Sequence, residues 1–146
     1  MSVGRICVRT VDLADLDETA QVAGSRMNTR NVGTLVVIDD QQSPVGIITD
    51  RDLAIRVVGK GLDPNTTKLQ DVMSELPESV TENTSIESAI ATMRRGPFRR
   101  LPVVDDQNRL IGLLSLDDVL ELLSEEFEEI GKLVRRESPN AVSYTH

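Results

Sequence analysis

One cysteine, Cys7, and one histidine, His146, are the only Cys and His residues in the 146-residue chain. An internal disulfide and a Cys/His zinc cluster are therefore excluded, and no metal is expected. No Ser/His/Asp or Cys/His constellation can be built around a single terminal histidine, so catalysis is not expected. Tryptophan is absent, and Phe98, Phe127 and Tyr144 are the only aromatics, too few for a base-stacking platform. A net charge of −8 opposes general affinity for nucleic-acid phosphates. No run of about 18 apolar residues occurs, and MSVGRICVRT lacks the apolar core of a secretion signal. Neither a membrane span nor export is expected, and the chain reads as cytoplasmic. What remains is a hydrophobic share of 39%, enough for an ordinary core.

The chain contains a duplication. Sliding it by 66 residues aligns Glu18 to Leu53 with Thr84 to Val119 without a gap. Nine of those positions are identical: Ala23/Ala89, Met27/Met93, Leu35/Leu101, Val37/Val103, Asp39/Asp105, Asp40/Asp106, Gln41/Gln107, Gly46/Gly112 and Asp52/Asp118.

Within each copy the hydrophobic period changes from helix to strand and back. In the second copy Thr84 and Glu87 have the spacing of a capping box, and Ile86, Ala89, Ile90 and Met93 share one face of a helix predicted from about Ser85 to Arg95. Gly96 and Pro97 end it. Leu101 to Val104 and Leu110 to Leu114 then read as strands joined by the turn Asp105 to Asn108. The first copy repeats this with Leu35 to Ile38, Asp39 to Ser43 and Val45 to Ile48, followed by a helix from Asp50 to Val58. The last helix starts at Leu116 and carries Val119, Leu120, Leu123, Phe127, Ile130 and Val134 as an apolar stripe longer than one repeat needs. Glu125 to Glu129 reads as a solvated face that turns Phe127 inward. Met27 and Met93 read as core residues and Cys7 as a core or interface residue.

Both copies place Gly-x-x-Thr/Ser-x-x-Asp where a strand meets a helix: Gly46, Thr49 and Asp52 in the first, Gly112, Ser115 and Asp118 in the second. A glycine lets a ligand or another backbone approach closely, and a hydroxyl at a helix N-terminus sits beside free N–H groups that favour phosphate. The aspartate can accept hydrogen bonds from a ribose diol. The same Thr/Ser-x-x-Asp spacing also matches a plain helix cap. A cap needs neither the glycine nor the strand, and both recur.

These segments, with Val72-Met73-Ser74, Val32 to Val37 and Arg100 to Asp105, make the chain resemble the CBS-domain family, and within it the small stand-alone prokaryotic pairs. The resemblance covers Ile6 to about Leu123. It implies a mixed α/β (α+β) fold of tandem β-α-β-β-α repeats, forming one pair with pseudo-twofold symmetry and two clefts between the sheets. The expected organisation is repeat 1 at 6–62, a linker at 63–70, repeat 2 at 71–124, a helical extension at 125–136 and a flexible tail at 137–146. By position, Asp52 and Asp118 would bind ribose hydroxyls, Thr49 and Ser115 phosphate, and Arg100 phosphate as the family's basic residue does. Backbone around Val11 to Asp17 and Val80 to Thr84 would meet adenine.

The two copies differ in their charges. Arg99-Arg100 in the second stands where the first has Gly33-Thr34, and Arg51 in the first stands where the second has Asp117. Unequal sites are expected, with Arg51 and Arg100 serving one phosphate chain across the pair. The resemblance implies a regulatory module that binds an adenine nucleotide of the AMP, ADP or ATP class, requires no cofactor and performs no chemistry. It also implies a homodimer and a separate regulated protein. The alternative is a structural dimerisation module with degenerate or empty clefts.

Overall fold

The protein is described by a computed structural model covering residues 1–96 and 98–137. In the first repeat, β1 (Leu13–Asp15), α1 (Ala20–Arg30), β2 (Thr34–Ile38) and β3 (Pro44–Thr49) precede α2, an α-helical turn Asp50–Asp52 that continues as a π-helix Leu53–Val58. After β4 (Ser74–Glu75), the second repeat has β5 (Val80–Thr81), α3 (Ile86–Arg95), β6 (Arg100–Val104), β7 (Leu110–Ser115) and α4 (Leu116–Glu137). Each repeat is thus β-α-β-β-α, as the resemblance implies.

Register follows the duplication residue by residue. Ala14 pairs with Val37 in a parallel ladder, and Val80 pairs with Val103 in the same way 66 positions on. The hairpins β2–β3 and β6–β7 match too, with Val37 opposite Gly46 and Val103 opposite Gly112. Each hairpin is closed by an aspartate. Asp39 Oδ1 accepts from the Gln41 and Ser43 amides at 2.9 and 3.0 Å, and Asp105 Oδ1 accepts from Gln107 and Arg109, both at 2.9 Å. These bonds satisfy the turn amides and let Gln42 and Asn108 adopt φ of 65° and 61°. The two turns touch, the Leu110 amide donating to the Gln42 carbonyl at 2.9 Å.

Two cores form, one under each sheet. Leu35, Val37 and Ile48 fill the first with Ala23 and Met27; Leu101, Val103 and Leu114 fill the second with Ala89 and Met93. The segment before each repeat belongs to the opposite core. Val3, fully buried, lies in the second core, while Leu69 and Val72 lie in the first. Val8 bridges antiparallel to Leu113 on β7, and β4 pairs with β3 through Ser74 and Ile47. The repeats are therefore exchanged at their leading ends, and neither sheet is complete without chain from the other.

Two expectations are corrected. The α3 cap is Ser85, whose hydroxyl accepts from the Ser88 amide at 3.1 Å; Thr84 instead accepts from the Thr81 amide at 3.0 Å and closes the turn after β5. The strands β4 and β5 are two residues each, too short to leave a period in the sequence. Phe127 does not turn inward: it is 72% exposed, because α4 runs past the core after Leu122. The tail beyond Glu137 and the helix end at Pro97 lie outside the described residues.

Candidate functional site

Each strand-to-helix junction is a reciprocal capping box. Thr49 Oγ1 accepts from the Asp52 amide at 3.1 Å while Asp52 Oδ2 accepts from the Thr49 amide at 2.9 Å. Ser115 and Asp118 do the same at 3.1 and 3.0 Å. The cap and the candidate binding motif are thus the same residues, and in each aspartate one carboxylate oxygen is used in the cap. In the first copy the other oxygen, Asp52 Oδ1, lies 3.7 Å from Arg56, which also donates to the Val72 carbonyl at 2.8 Å. Asp118 has no such partner among the described residues.

The glycines of the motif serve the exchanged segments. A Cβ on Gly46 would run into the Met73 side chain, and one on Gly112 would stand 3.0 Å from the Val8 carbonyl and 3.1 Å from Cys7 Sγ. The close approach at each strand is made by the protein's own chain. Cys7 and Met73 are 66 residues apart and occupy equivalent places. Burial pushes the Cys7 thiol above its ordinary pKa, more than the nearby Arg9 lowers it.

A cleft of about 340 Å³ lies between the repeats. Leu113, Ser115 and Asp118 line it from the second repeat, Val32, Gly33 and Thr34 from the first, and Val8, Thr10, Val11 and Asp12 from the leading segment. A smaller hollow of about 140 Å³, lined by Arg99, Arg100, Ser115, Leu116 and Asp117, adjoins it. Ser115 belongs to both. Arg100 is the register partner of Ser115 across β6 and β7, which brings a guanidinium to the start of α4, where the Ser115 and Asp118 amides are held in the cap and the Leu116 amide donates to the Arg99 carbonyl at 2.8 Å.

The site residues expected from the sequence therefore separate. Ser115, Asp118, Arg99 and Arg100 come together. Gly46, Thr49, Arg51, Asp52 and Gly112 line neither hollow, and Arg51 does not meet Arg100 across them. At the first junction Gly33 faces a carboxylate, since a Cβ there would stand 2.9 Å from Asp50 Oδ2. The second copy has Arg99 in place of Gly33 and Leu116 in place of Asp50. Val11 and Asp12 reach the cleft but Val80 to Thr84 do not. Val8 and Thr10 were not anticipated, because only the exchange of leading segments brings them to β7. Asp12, held by Arg30 Nε at 2.8 Å, adds a second carboxylate opposite the arginine end. Among the described residues no cluster of Cys, His, Asp or Glu can hold a metal ion. Nor is any described helix long and apolar enough to cross a membrane.

Two exchanged β-α-β-β-α repeats, pseudo-symmetric about a shared cleft, define a tandem-repeat α/β architecture with a ligand-sized space between its halves. The chain belongs to the CBS domain family, whose pattern it matches at residues 3–59 and again at 69–125. It is 35% identical over 122 residues to the Methanopyrus kandleri protein MK0525, covering 84% of this chain and 62% of that one. An inosine-5'-monophosphate dehydrogenase of Methanocaldococcus jannaschii is 34% identical over 116 residues, and there the chain spans 22% of the relative. The solved structure of a CBS-domain protein from Burkholderia ambifaria superimposes with a TM-score of 0.70 at 27% identity, covering 84% of this chain and 93% of that one. The CBS domain pair of MJ0100, solved with 5'-methylthioadenosine and S-adenosyl-L-methionine, superimposes at 0.72 with 21% identity, 86% and 98% covered, and shares the fold.

Proposed function

We propose that the chain is a regulatory module that binds an adenine nucleotide in the cleft of Ser115 and Asp118 and performs no chemistry of its own. One observation carries this reading: the cleft and the arginine hollow meet at Ser115. A nucleoside in the larger space would set its ribose diol on the Asp118 carboxylate. Its phosphate would then lie over the Ser115 hydroxyl, Arg99 and Arg100, where charge-assisted hydrogen bonds are strong. Asp117 stands beside that position and opposes the longest phosphate chains. The Thr49 and Asp52 junction is the weaker site, because Gly33-Thr34 stand where the second copy has arginines, the Asp50 carboxylate lies against Gly33, and Arg56 already engages Asp52.

Binding shifts the geometry between the sheets, and a regulated protein reads the shift. The module acts in the cytoplasm as a homodimer. Calorimetric titration of adenosine, AMP, ADP, ATP and S-adenosylmethionine into wild type and Arg100→Ala tests the site. The expected result is a phosphate-bearing nucleotide preferred over adenosine, with about tenfold of that preference lost in the variant. Binding of adenosine alone, unchanged in the variant, removes the arginines. No heat and no thermal shift at millimolar ligand favours the structural dimerisation module with empty clefts.

A further inference from the structure

Asp12 stands between two hollows and is engaged from one of them. It lines the inter-repeat cleft and also a hollow of about 570 Å³ along α1, which it shares with Gln21, Ser25, Arg26 and Arg30. From the α1 side Arg30 Nε donates to Asp12 Oδ1 at 2.8 Å, and Arg30 does not line the cleft. Asp12 Oδ2 has no hydrogen-bond partner among the described residues, although the side chain is only 16% exposed. The backbone is pinned as well, the Val36 amide donating to the Asp12 carbonyl at 2.9 Å just before β1. A carboxylate already clamped through one oxygen loses little freedom when the other accepts from a ligand. The second copy does not repeat this pair. Glu78 and Gly96 stand 66 residues on from Asp12 and Arg30, so the counterpart acid is exposed and has no arginine at the matching position.

We infer that Asp12 selects the base in the Ser115 cleft, its Oδ2 accepting the exocyclic amine of adenine, so that 6-amino purines are admitted and 6-oxo purines are refused. This rests on the nucleotide reading above and concerns the end of the ligand that reading left open. With the ribose on Asp118 and the phosphate toward Arg99 and Arg100, the rest of the lining falls to the base. Val11, Val32 and Leu113 offer it apolar faces, and Asp12 is the only charged side chain in that remainder. A carboxylate only accepts, so it matches the N6 amine of adenine and repels the O6 carbonyl of hypoxanthine or guanine. Thr10, also in the lining, cannot make that choice, because a hydroxyl both donates and accepts. Partial burial makes the choice costly to violate: a carboxylate set against a carbonyl gives up water and gains nothing in exchange.

Calorimetric titration of AMP, IMP, GMP and purine riboside 5'-monophosphate, which carries hydrogen in place of the amine, into wild type, Asp12→Asn and Asp12→Ala tests it. Arg30 is 57% exposed, so its ion pair adds little to stability and both variants keep the fold. Wild type is expected to bind AMP roughly tenfold or more tightly than the other three, the usual size of a hydrogen bond to a charged group. In Asp12→Asn the amide can turn its nitrogen toward O6, and AMP and IMP are expected within about threefold of each other. In Asp12→Ala, AMP is expected to fall to the level of purine riboside monophosphate. IMP or GMP bound by wild type as tightly as AMP overturns the inference, and so does an AMP preference that survives in both variants. Either result leaves the nucleotide site standing. Wild type that binds none of the four removes the site itself, and the inference with it.

Discussion

The Ser115 hydroxyl and the Asp118 carboxylate each accept the other's backbone amide, at 3.1 and 3.0 Å, so that one side chain caps α4 and faces the inter-repeat cleft at once. Stability and ligand affinity are therefore linked at this pair, and they can be separated only by substitutions that spare the cap.

Asp118→Ala is expected to lower stability by about 1 kcal/mol through loss of the cap, and to abolish nucleotide binding. Asp52→Ala is expected to cost a similar stability but to leave most nucleotide affinity, because the arginine hollow adjoins only Ser115. Denaturant titration and calorimetry on the same samples check both halves. Equal loss of affinity in the two variants would show that the clefts are equivalent.

Gly46→Ala is expected to destabilise by about 1–3 kcal/mol, since a Cβ there meets Met73 within the first core. Met73→Ala in the same chain should recover part of that loss, with a coupling of about 0.5–3 kcal/mol in a double-mutant cycle. Additive effects would mean that Met73 moves aside freely.

Val3→Ala removes a fully buried side chain from the second core although Val3 precedes the first repeat. A loss of about 2 kcal/mol is expected. Hydrogen exchange is the sharper measurement: protection should fall first in β6 and β7, and a loss confined to β2 and β3 would contradict the exchange of leading segments.

Cys7 is held by burial as the neutral thiol. Alkylation of the folded protein at neutral pH should run slower than that of the unfolded chain and catch up only as pH rises through the elevated folded value. The sign for stability follows: the contribution of the neutral thiol is full below the unfolded pKa and is lost as pH rises through the folded one. A thiol that reacts at equal rates folded and unfolded would refute its burial.

Much of this was legible in the residues because it is local. The hairpin turns follow from Asp39 and Asp105, whose carboxylates bind amides two and four residues away, and the capping boxes follow from spacing alone. The duplication added the pairing, since a gapless 66-residue shift requires two copies of one supersecondary unit. Thr84 shows the limit of this reasoning, because two neighbouring hydroxyls can both cap and only the chain direction after β5 selects Ser85.

The binding motif was legible as a motif but not as one site among two. By itself the sequence determined the repeat, the caps of α2 and α4 with their pairing of hydroxyl and aspartate, and the exclusion of disulfide and Cys/His metal chemistry, all of which depend on residue type and spacing. Tertiary structure alone decided that Ser115 and Asp118 line a cleft with Val8, Thr10, Val11, Asp12 and Gly33, that Arg99 and Arg100 line a hollow meeting it at Ser115, and that Met73 and Cys7 fill the approaches to the two glycines. Those contacts join residues far apart in the chain through burial of Val3 in one core and Leu69 in the other. Burial of that kind acts on the folded surface as a whole and leaves no periodic trace in the segments that take part.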